Sequence, residues 1–248
     1  FPGTLAGGLI FSQITVAGGV ITAVQPVYAA RSPVAGDLTL INVQDYGADP
    51  DDDGDDSAAI LAALAAIPAI PTTQGGQGCL YFPLPRTAGG FYKLSSEIDL
   101  TGRFNGCMKA PGKYSADQHD DLTTHTALLQ WYGATNKNVI LLHNTQSGLF
   151  DNISVNCRNI AGTRGLALGA DATAASSVKK NQFRGIEVSH CDIGIRLGDV
   201  AANGPDVASN IFLETVVHHN ISQGVSQNSG NGVANFSVLT AECNGVTP

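Results

Sequence analysis

Three glutamates and one histidine in the last third of the chain have the types and spacing for acid–base chemistry. Glu187, Glu214 and Glu242 follow Phe183, Phe212 and Phe236 by four, two and six residues, and His218 follows Phe212 by six. Two carboxylates facing one sugar are what hydrolysis of a glycosidic bond requires: one protonates the leaving oxygen while the other activates water or attacks carbon. Glu187, Glu214 and Glu242 are therefore the candidate catalytic residues, and His218 and Asp151 the candidate substrate contacts. The competing reading of the same residues is an ordinary solvated face. His190 and His219 each stand seven residues after a phenylalanine. Two imidazoles could bind metal, but Cys157 and Cys243 share that place, so a half-buried ladder is the simpler account and no metal is assigned. Nothing in the sequence calls for a cofactor.

The elements that must position these side chains come from an unequal repeat. Phe150-x-x-Ile153-x-Val155, Phe183-x-x-Ile186-x-Val188, Phe212-x-x-Thr215-x-Val217 and Phe236-x-x-Leu239-x-Ala241 share one pattern, their phenylalanines 33, 29 and 24 residues apart. A repeat of this length implies a solenoid, with insertions expelled as loops over residues 170–180 and 199–209. A β-sandwich is the alternative, and would pair the Phe183 and Phe212 segments antiparallel. With offsets three and five inward, strand alternation turns Glu187, Glu214, His218 and Glu242 outward on one sheet. His218 and Glu242 then become direct neighbours about 4.8 Å apart, and Glu187 and Glu214 diagonal ones. Asp151 joins them if its strand bends.

Upstream, Ile41-Asn42-Val43-Gln44-Asp45-Tyr46-Gly47-Ala48 reads as a strand and a glycine turn, followed by an acidic loop from Asp49 to Asp56 and a helix over about Ser57 to Ile67. Counted from Asp49, the twelfth position of an EF-hand loop is Ile60, where a bidentate carboxylate is needed, so the EF-hand reading fails. Asp55 or Asp56 is placed to cap the helix, and Pro68 to end it. Gly78-Cys79-Leu80-Tyr81-Phe82-Pro83 and Phe91-Tyr92-Lys93-Leu94-Ser95-Ser96 then follow as strands.

Over residues 41–96 these segments resemble the opening of the pectate-lyase-3 group, which includes polysaccharide lyases, glycoside hydrolases and bacteriophage tailspikes. The usual Phe-Pro-x-Gly-x-Tyr is interrupted here by an insertion over residues 84–90. The resemblance implies an all-β fold, a right-handed parallel β-helix whose N-terminal end the helix covers. It also implies a homotrimer. Three functions follow from it: a phage tailspike that binds and depolymerises a bacterial surface polysaccharide, a secreted lyase or hydrolase, or a non-catalytic virion stalk.

Bulk properties narrow the choice. The chain has 248 residues, 43% hydrophobic and 14% charged, with a net charge of -8, which disfavours a nucleic-acid partner because phosphate binding needs a cationic track. No apolar run reaches the roughly 18 residues of a membrane span, so no membrane insertion is expected. No signal peptide is read at Phe1. Five cysteines without CxxC spacing read as buried thiols rather than a disulfide framework. The linker-like composition over residues 30–37 places a boundary between a β-rich segment, 1–37, and the main domain, 38–248. The first is expected to attach to the phage tail or another virion protein, which locates the protein in a virion or outside the cell. No cap follows the last repeat, so more chain is expected beyond residue 248.

Overall fold

The chain divides into two compact units, Phe1–Asp37 and Leu38–Pro248. The computed structural model describes residues 13–17, 20–25, 39–67, 78–87, 89–102, 106–112, 127–169, 177–198, 206–227 and 234–242. In the first unit β1 (Gln13–Ala17) and β2 (Val20–Gln25) pair antiparallel, with Ala17 opposite Val20. The apolar run at residues 8–11, also read as a strand, lies outside the described residues.

The second unit opens with β3 (Thr39–Asn42), α1 (Ser57–Ala66), β4 (Gly78–Tyr81), β5 (Tyr92–Leu94), β6 (Ile98–Asp99) and β7 (Cys107–Lys109). Next come β8 (Ala127–Trp131), β9 (Asn138–Leu142), β10 (Leu149–Asp151), β11 (Ile153–Asn156), β12 (Arg164–Leu168), β13 (Ser177–Lys179) and β14 (Gln182–Arg184). The last are β15 (Glu187–Ser189), β16 (Ile193–Leu197), β17 (Asp206–Ala208), β18 (Asn210–His218), β19 (Gln223–Gln227) and β20 (Ala234–Glu242). Every described strand pair in this unit is parallel. Among the described residues the unit is thus all-β with one α-helix. The chain runs repeatedly through three columns of strands: β3-β4-β7-β10-β14 into the start of β18, then β5-β8-β11-β15 into its end, then β6-β9-β12-β16-β19.

The repeat seen in the sequence becomes a stack. Phe150, Phe183, Phe212 and Phe236 are in register on adjacent parallel strands, with ring centroids 4.7, 4.4 and 4.5 Å apart and planes within 15°. The antiparallel sandwich is thereby excluded. Two residues after each of the first three phenylalanines the backbone enters the left-handed region, at Asn152 (φ 57°), Gly185 (φ 56°) and Glu214 (φ 50°). That corner turns the chain from the first column into the second, where Ile153, Val155, Ile186, Val188 and Val217 rejoin the same core.

Buried asparagines knit the turn that leads into the first column. Asn210 Oδ1 accepts from Asn181 N at 3.1 Å and Nδ2 at 2.9 Å, while Asn181 Oδ1 accepts from Gly148 N at 2.8 Å. The third member of this ladder is a glycine because a Cβ there would meet Gly106 O at 2.7 Å and Asn181 Oδ1 at 2.8 Å. Residues 170–180 and 199–209, expected as loops, carry regular structure at their ends: Ser177–Lys179 and Asp206–Ala208 pair parallel, which extends the ladder by a short fourth column.

The helix falls where the sequence places it. Ile60, Ala63 and Leu64 are buried in one cluster with Leu80, Phe82, Leu94 and Ile98. Its capping carboxylate is Asp55, which accepts from Ser57 N at 3.0 Å. Asp56 instead accepts from Asp49 N at 2.7 Å and Lys93 N at 2.8 Å, and Asp51 from Arg86 N, Thr87 N and Thr87 Oγ1. The acidic run is therefore a turn whose carboxylates are spent on backbone donors, and among the described residues no group of three or more acidic, histidine or cysteine side chains could hold a metal ion. Burial, with the charges of Asp52 and Asp49 beside it, pushes Asp56 up to about 6. Burial also raises Asp55, but hydrogen bonds from Ser95 and Ser57 outweigh it and hold its pKa below the ordinary carboxylate value.

The cysteine expectation needs correction. Cys79 bonds Cys107 and Cys157 bonds Cys191, each across adjacent parallel strands or the turn just beyond them. In-register stacking brings side chains at the same level within disulfide reach, with Cα–Cα distances of 4.2 and 4.6 Å, and no sequence spacing rule reveals that.

Candidate functional site

The second column carries an outward line of polar residues. Register aligns Lys93 with Gln130, Gln130 with Asn156, Asn156 with Ser189, Ser189 with His218, and His218 with Glu242. Two residues earlier a parallel line runs through Leu128, Ser154, Glu187, Val216 and Thr240. Alternation sends the first line, as far as His218, and the second away from the hydrophobic core. Ser154, Glu187, Ser189, Val216 and His218 are nevertheless buried, none more than 2% exposed. The outer sheet is thus not the open, solvated face the sequence reading supposed.

Within it, Glu187 Oε1 lies 2.6 Å from His218 Nε2, and its other oxygen lies 3.4 Å from Ser154 Oγ. The contact is one hydrogen bond, and with an ionised Glu187, which can only accept, it is Nε2 of His218 that donates. His218 Nδ1 is 2.6 Å from Nδ1 of His219, an exposed residue. At that distance one ring nitrogen donates and the other accepts. The result is a short relay from a buried carboxylate through a buried imidazole to a surface imidazole.

His190 completes the cluster. Its ring stacks on His219 with centroids 5.4 Å apart and planes 15° from parallel, and its Nδ1 is 3.4 Å from Asn156 Nδ2. His190 (φ 54°) and His219 (φ 53°) both occupy left-handed positions one residue past their strands. Cys157 lies one residue past β11 and Cys191 two past β15, and the two sulfurs bond across this corner. Burial lowers the pKa of His190, with the neighbouring His219 and His218 acting in the same direction.

Further along the same edge, the Arg158 guanidinium lies 3.9 Å from the centroid of the Tyr132 ring, and Lys93 Nζ lies 4.7 Å from it. Phe91 stacks on that ring at 6.1 Å. Tyr92 and Trp131 are core residues, both essentially buried, whereas Phe91 and Tyr132 reach the surface. The strip from Phe91 to His219 therefore combines aromatic faces, cations and imidazoles on successive strands.

The five residues singled out from sequence fall in different settings. Glu187 and His218 are brought into contact. Glu242 is the register partner of His218, as alternation foresees. Glu214 is exposed and sits at the left-handed corner itself, so the bend breaks the alternation that was to make it a diagonal partner of Glu187. Asp151 lies before that corner, in the first column, and is ion-paired to Arg184 at 2.9 Å. His190 and His219, which share one place in the repeat, do stack as a half-buried ladder requires, whereas Arg158 and Asn156 beside them were missed, because only the stacking of strands brings them there. A serine nucleophile is not formed here: Ser189 Oγ is buried without a hydrogen-bond partner in the structure, and both nitrogens of His218 are already engaged.

A protein of stacked parallel strands, with a buried carboxylate–imidazole pair opening onto a polar and aromatic edge, defines the class. Residues 40–107 match the family model of rhamnogalacturonase A/epimerase, pectate lyase-like, so the pectate-lyase-like resemblance carried by residues 41–96 holds. The fold resembles that of a protein of Geobacillus virus E2, ORF18, with a TM-score of 0.52 and 18% identity over 94% of this chain. The chain spans about half of that phage protein, 48% of its length. No curated protein matches the chain significantly.

Proposed function

We propose that this chain is the β-helical part of a bacteriophage tailspike or related receptor-binding protein that meets a bacterial surface polysaccharide. The observation that carries this is the fold shared with a phage protein over nearly the whole chain. In this reading the parallel columns wind as a right-handed β-helix, and α1 covers its N-terminal end, where open strand edges would otherwise pair with another chain. Residues 1–37 attach to the phage tail, and three copies assemble side by side, burying exposed apolar residues such as Ile211 and Leu239. Sedimentation should give a trimer at micromolar concentration, and a monomer would remove that part of the reading.

The glycan lies along the edge of the second column, where Tyr132, Arg158 and His219 face outward. Should the chain also cut it, the working acids are Glu187 and Glu242, on the strands either side of His218, with Glu214 at most a contact. Incubation with a panel of bacterial surface polysaccharides, neutral and acidic, tests both halves by reading binding and newly formed chain ends. Binding to none overturns the proposal. Substituting Glu187→Gln or Glu242→Gln should lower any cleavage by orders of magnitude, because Gln keeps the shape and loses the proton chemistry. Unchanged cleavage in both would leave binding alone.

A further inference from the structure

Each disulfide joins two consecutive passes of the chain through the three columns. One such pass is a layer: β4-β5-β6, β7-β8-β9, β10-β11-β12 and β14-β15-β16, followed by β18-β19. Cys79 on β4 and Cys107 on β7 stand in register and hold the first two layers, and Cys157 and Cys191 hold the next two. Among the described residues no disulfide crosses from β7-β8-β9 to β10-β11-β12, or from β14-β15-β16 to β18-β19. At the second of these boundaries an amide takes the place of a sulfur: Asn220 Oδ1 accepts from Cys191 N at 2.9 Å, and its Nδ2 donates to Val188 O at 3.4 Å. The Cys157–Cys191 bond also spans a small apolar cavity, lined on one layer by Phe150, Val155 and Leu166 and on the next by Phe183, Ile186 and Val188, where the two layers forfeit some packing contact. None of the four cysteines is more than 2% exposed.

We propose that the two disulfides are a redox-set latch on the stack: each makes two neighbouring layers open as one unit, and its sulfurs exchange only when those layers part, so the folded chain keeps the redox state in which it folded. The latch is independent of what the chain binds. In a stack each layer is held by its neighbours, so without crosslinks it can open one layer at a time from an end. A bond across 28 or 34 residues, one full layer, removes the freedom that layer would gain on leaving, and shifts the opening equilibrium by roughly a few hundredfold. Burial supplies the other half of the device. Closing the bond takes two protons and two electrons from a pair of thiols, and a small-molecule disulfide such as oxidised glutathione accepts them as it becomes two thiols. The route runs through a mixed disulfide in which one cysteine carries half of the small molecule, until the second cysteine displaces it. Sulfurs this deeply buried leave no room for that intermediate while the layers are stacked. Dithiothreitol meets the same barrier in the reverse direction, where its two thiols supply the electrons and protons and it ends as a cyclic disulfide.

The test compares the chain made in a reducing bacterial cytoplasm with the chain exported to an oxidising periplasm, both kept folded. Iodoacetamide marks free thiols, and peptide mass spectrometry assigns them to Cys79, Cys107, Cys157 and Cys191. The exported form should leave all four unmarked, and dithiothreitol should reduce it about a hundredfold or more slower than the same chain unfolded in urea. The cytoplasmic form should carry four thiols and react with oxidised glutathione equally slowly. Hydrogen exchange then reads the opening unit. In the exported form the amides of β10-β11-β12 and β14-β15-β16 should share one level of protection, and in the cytoplasmic form those of β14-β15-β16 should lose on the order of a hundredfold. Cys157→Ala with Cys191→Ala, in exported chain, should reproduce that loss and leave β4-β5-β6 and β7-β8-β9 as protected as before. The two wild-type forms decide the question even where the double variant fails to fold. Bonds already closed in the cytoplasmic form, open thiols in the exported one, exchange in the folded chain as fast as in urea, or equal amide protection of the two forms overturns the latch.

Discussion

The inner and outer faces of the same strands are built on opposite rules. Inward, one residue type recurs at one level: Phe150, Phe183, Phe212 and Phe236 stack ring on ring with nearly parallel planes. Outward, the line Lys93, Gln130, Asn156, Ser189 and His218 runs through an ammonium, two amides, a hydroxyl and an imidazole. Strands at a spacing of about 4.8 Å suit flat apolar rings on top of one another, and close packing makes each ring a neighbour of two more. The outer line is not built by ring stacking, and its residue types vary along the column even where the side chains are buried. Repetition marks what holds the molecule together, and variation marks where to look for function.

The hardest blow to the inner rule is Phe183→Ala. It removes a fully buried ring and both of its stacking partners, so the expected loss is about 3–5 kcal/mol of unfolding free energy, read as a lower denaturant midpoint. A loss below about 1 kcal/mol would mean that the ladder collapses around the gap and is not the organising feature.

Glu187→Gln asks the same of the outer face. Gln keeps one acceptor for His218 but loses the charge, and a hydrogen bond to a charged group contributes about 1.5–3 kcal/mol, so a loss in that range is expected. A variant as damaged as Phe183→Ala would show that the buried pair is structural first.

Asp56 contrasts with both, as a buried carboxylate held by two backbone donors in the acidic turn. Its folded pKa is raised to about 6 from 3.8, so between those values the folded state binds more protons than the unfolded one. Stability from this group therefore increases as pH falls from 7 towards 4. Asp51 and Asp55 have depressed pKa values and act oppositely, losing their contribution as pH falls below about 4. The melting temperature of the wild type relative to Asp56→Asn should rise between pH 7 and pH 4.5, and a flat or falling difference would contradict the burial account.

The smallest effect is reserved for Ser189→Ala. The Ser189 hydroxyl is buried and lacks a hydrogen-bond partner in the structure, so removing it should be neutral or stabilising by up to about 1 kcal/mol. A clear loss of stability in a melting experiment would reveal a partner for that hydroxyl and a more tightly built outer line.

The sequence by itself determined the Phe-x-x-Ile-x-Val repeat, the helix over about Ser57 to Ile67 and the level pairing of His218 with Glu242. Each depends on local spacing or on a period that survives insertions, and such signals are carried by the order of residues alone. The tertiary structure alone decided the rest. A left-handed residue at Asn152, Gly185 and Glu214 folds the repeat across a corner, so alternation counted through it misplaces Glu214, and Asp151 stays before the corner, paired with Arg184. The stack of strands brings Cys157, one residue past β11, against Cys191, two past β15, and the two sulfurs bond. Burial of Glu187 against His218 depends on what covers an outward-facing line, and the pattern of a strand records only which side its residues face. Position along the chain sets which residues share a face; stacking, corners and cover set which of them touch, and chemistry begins only with touching.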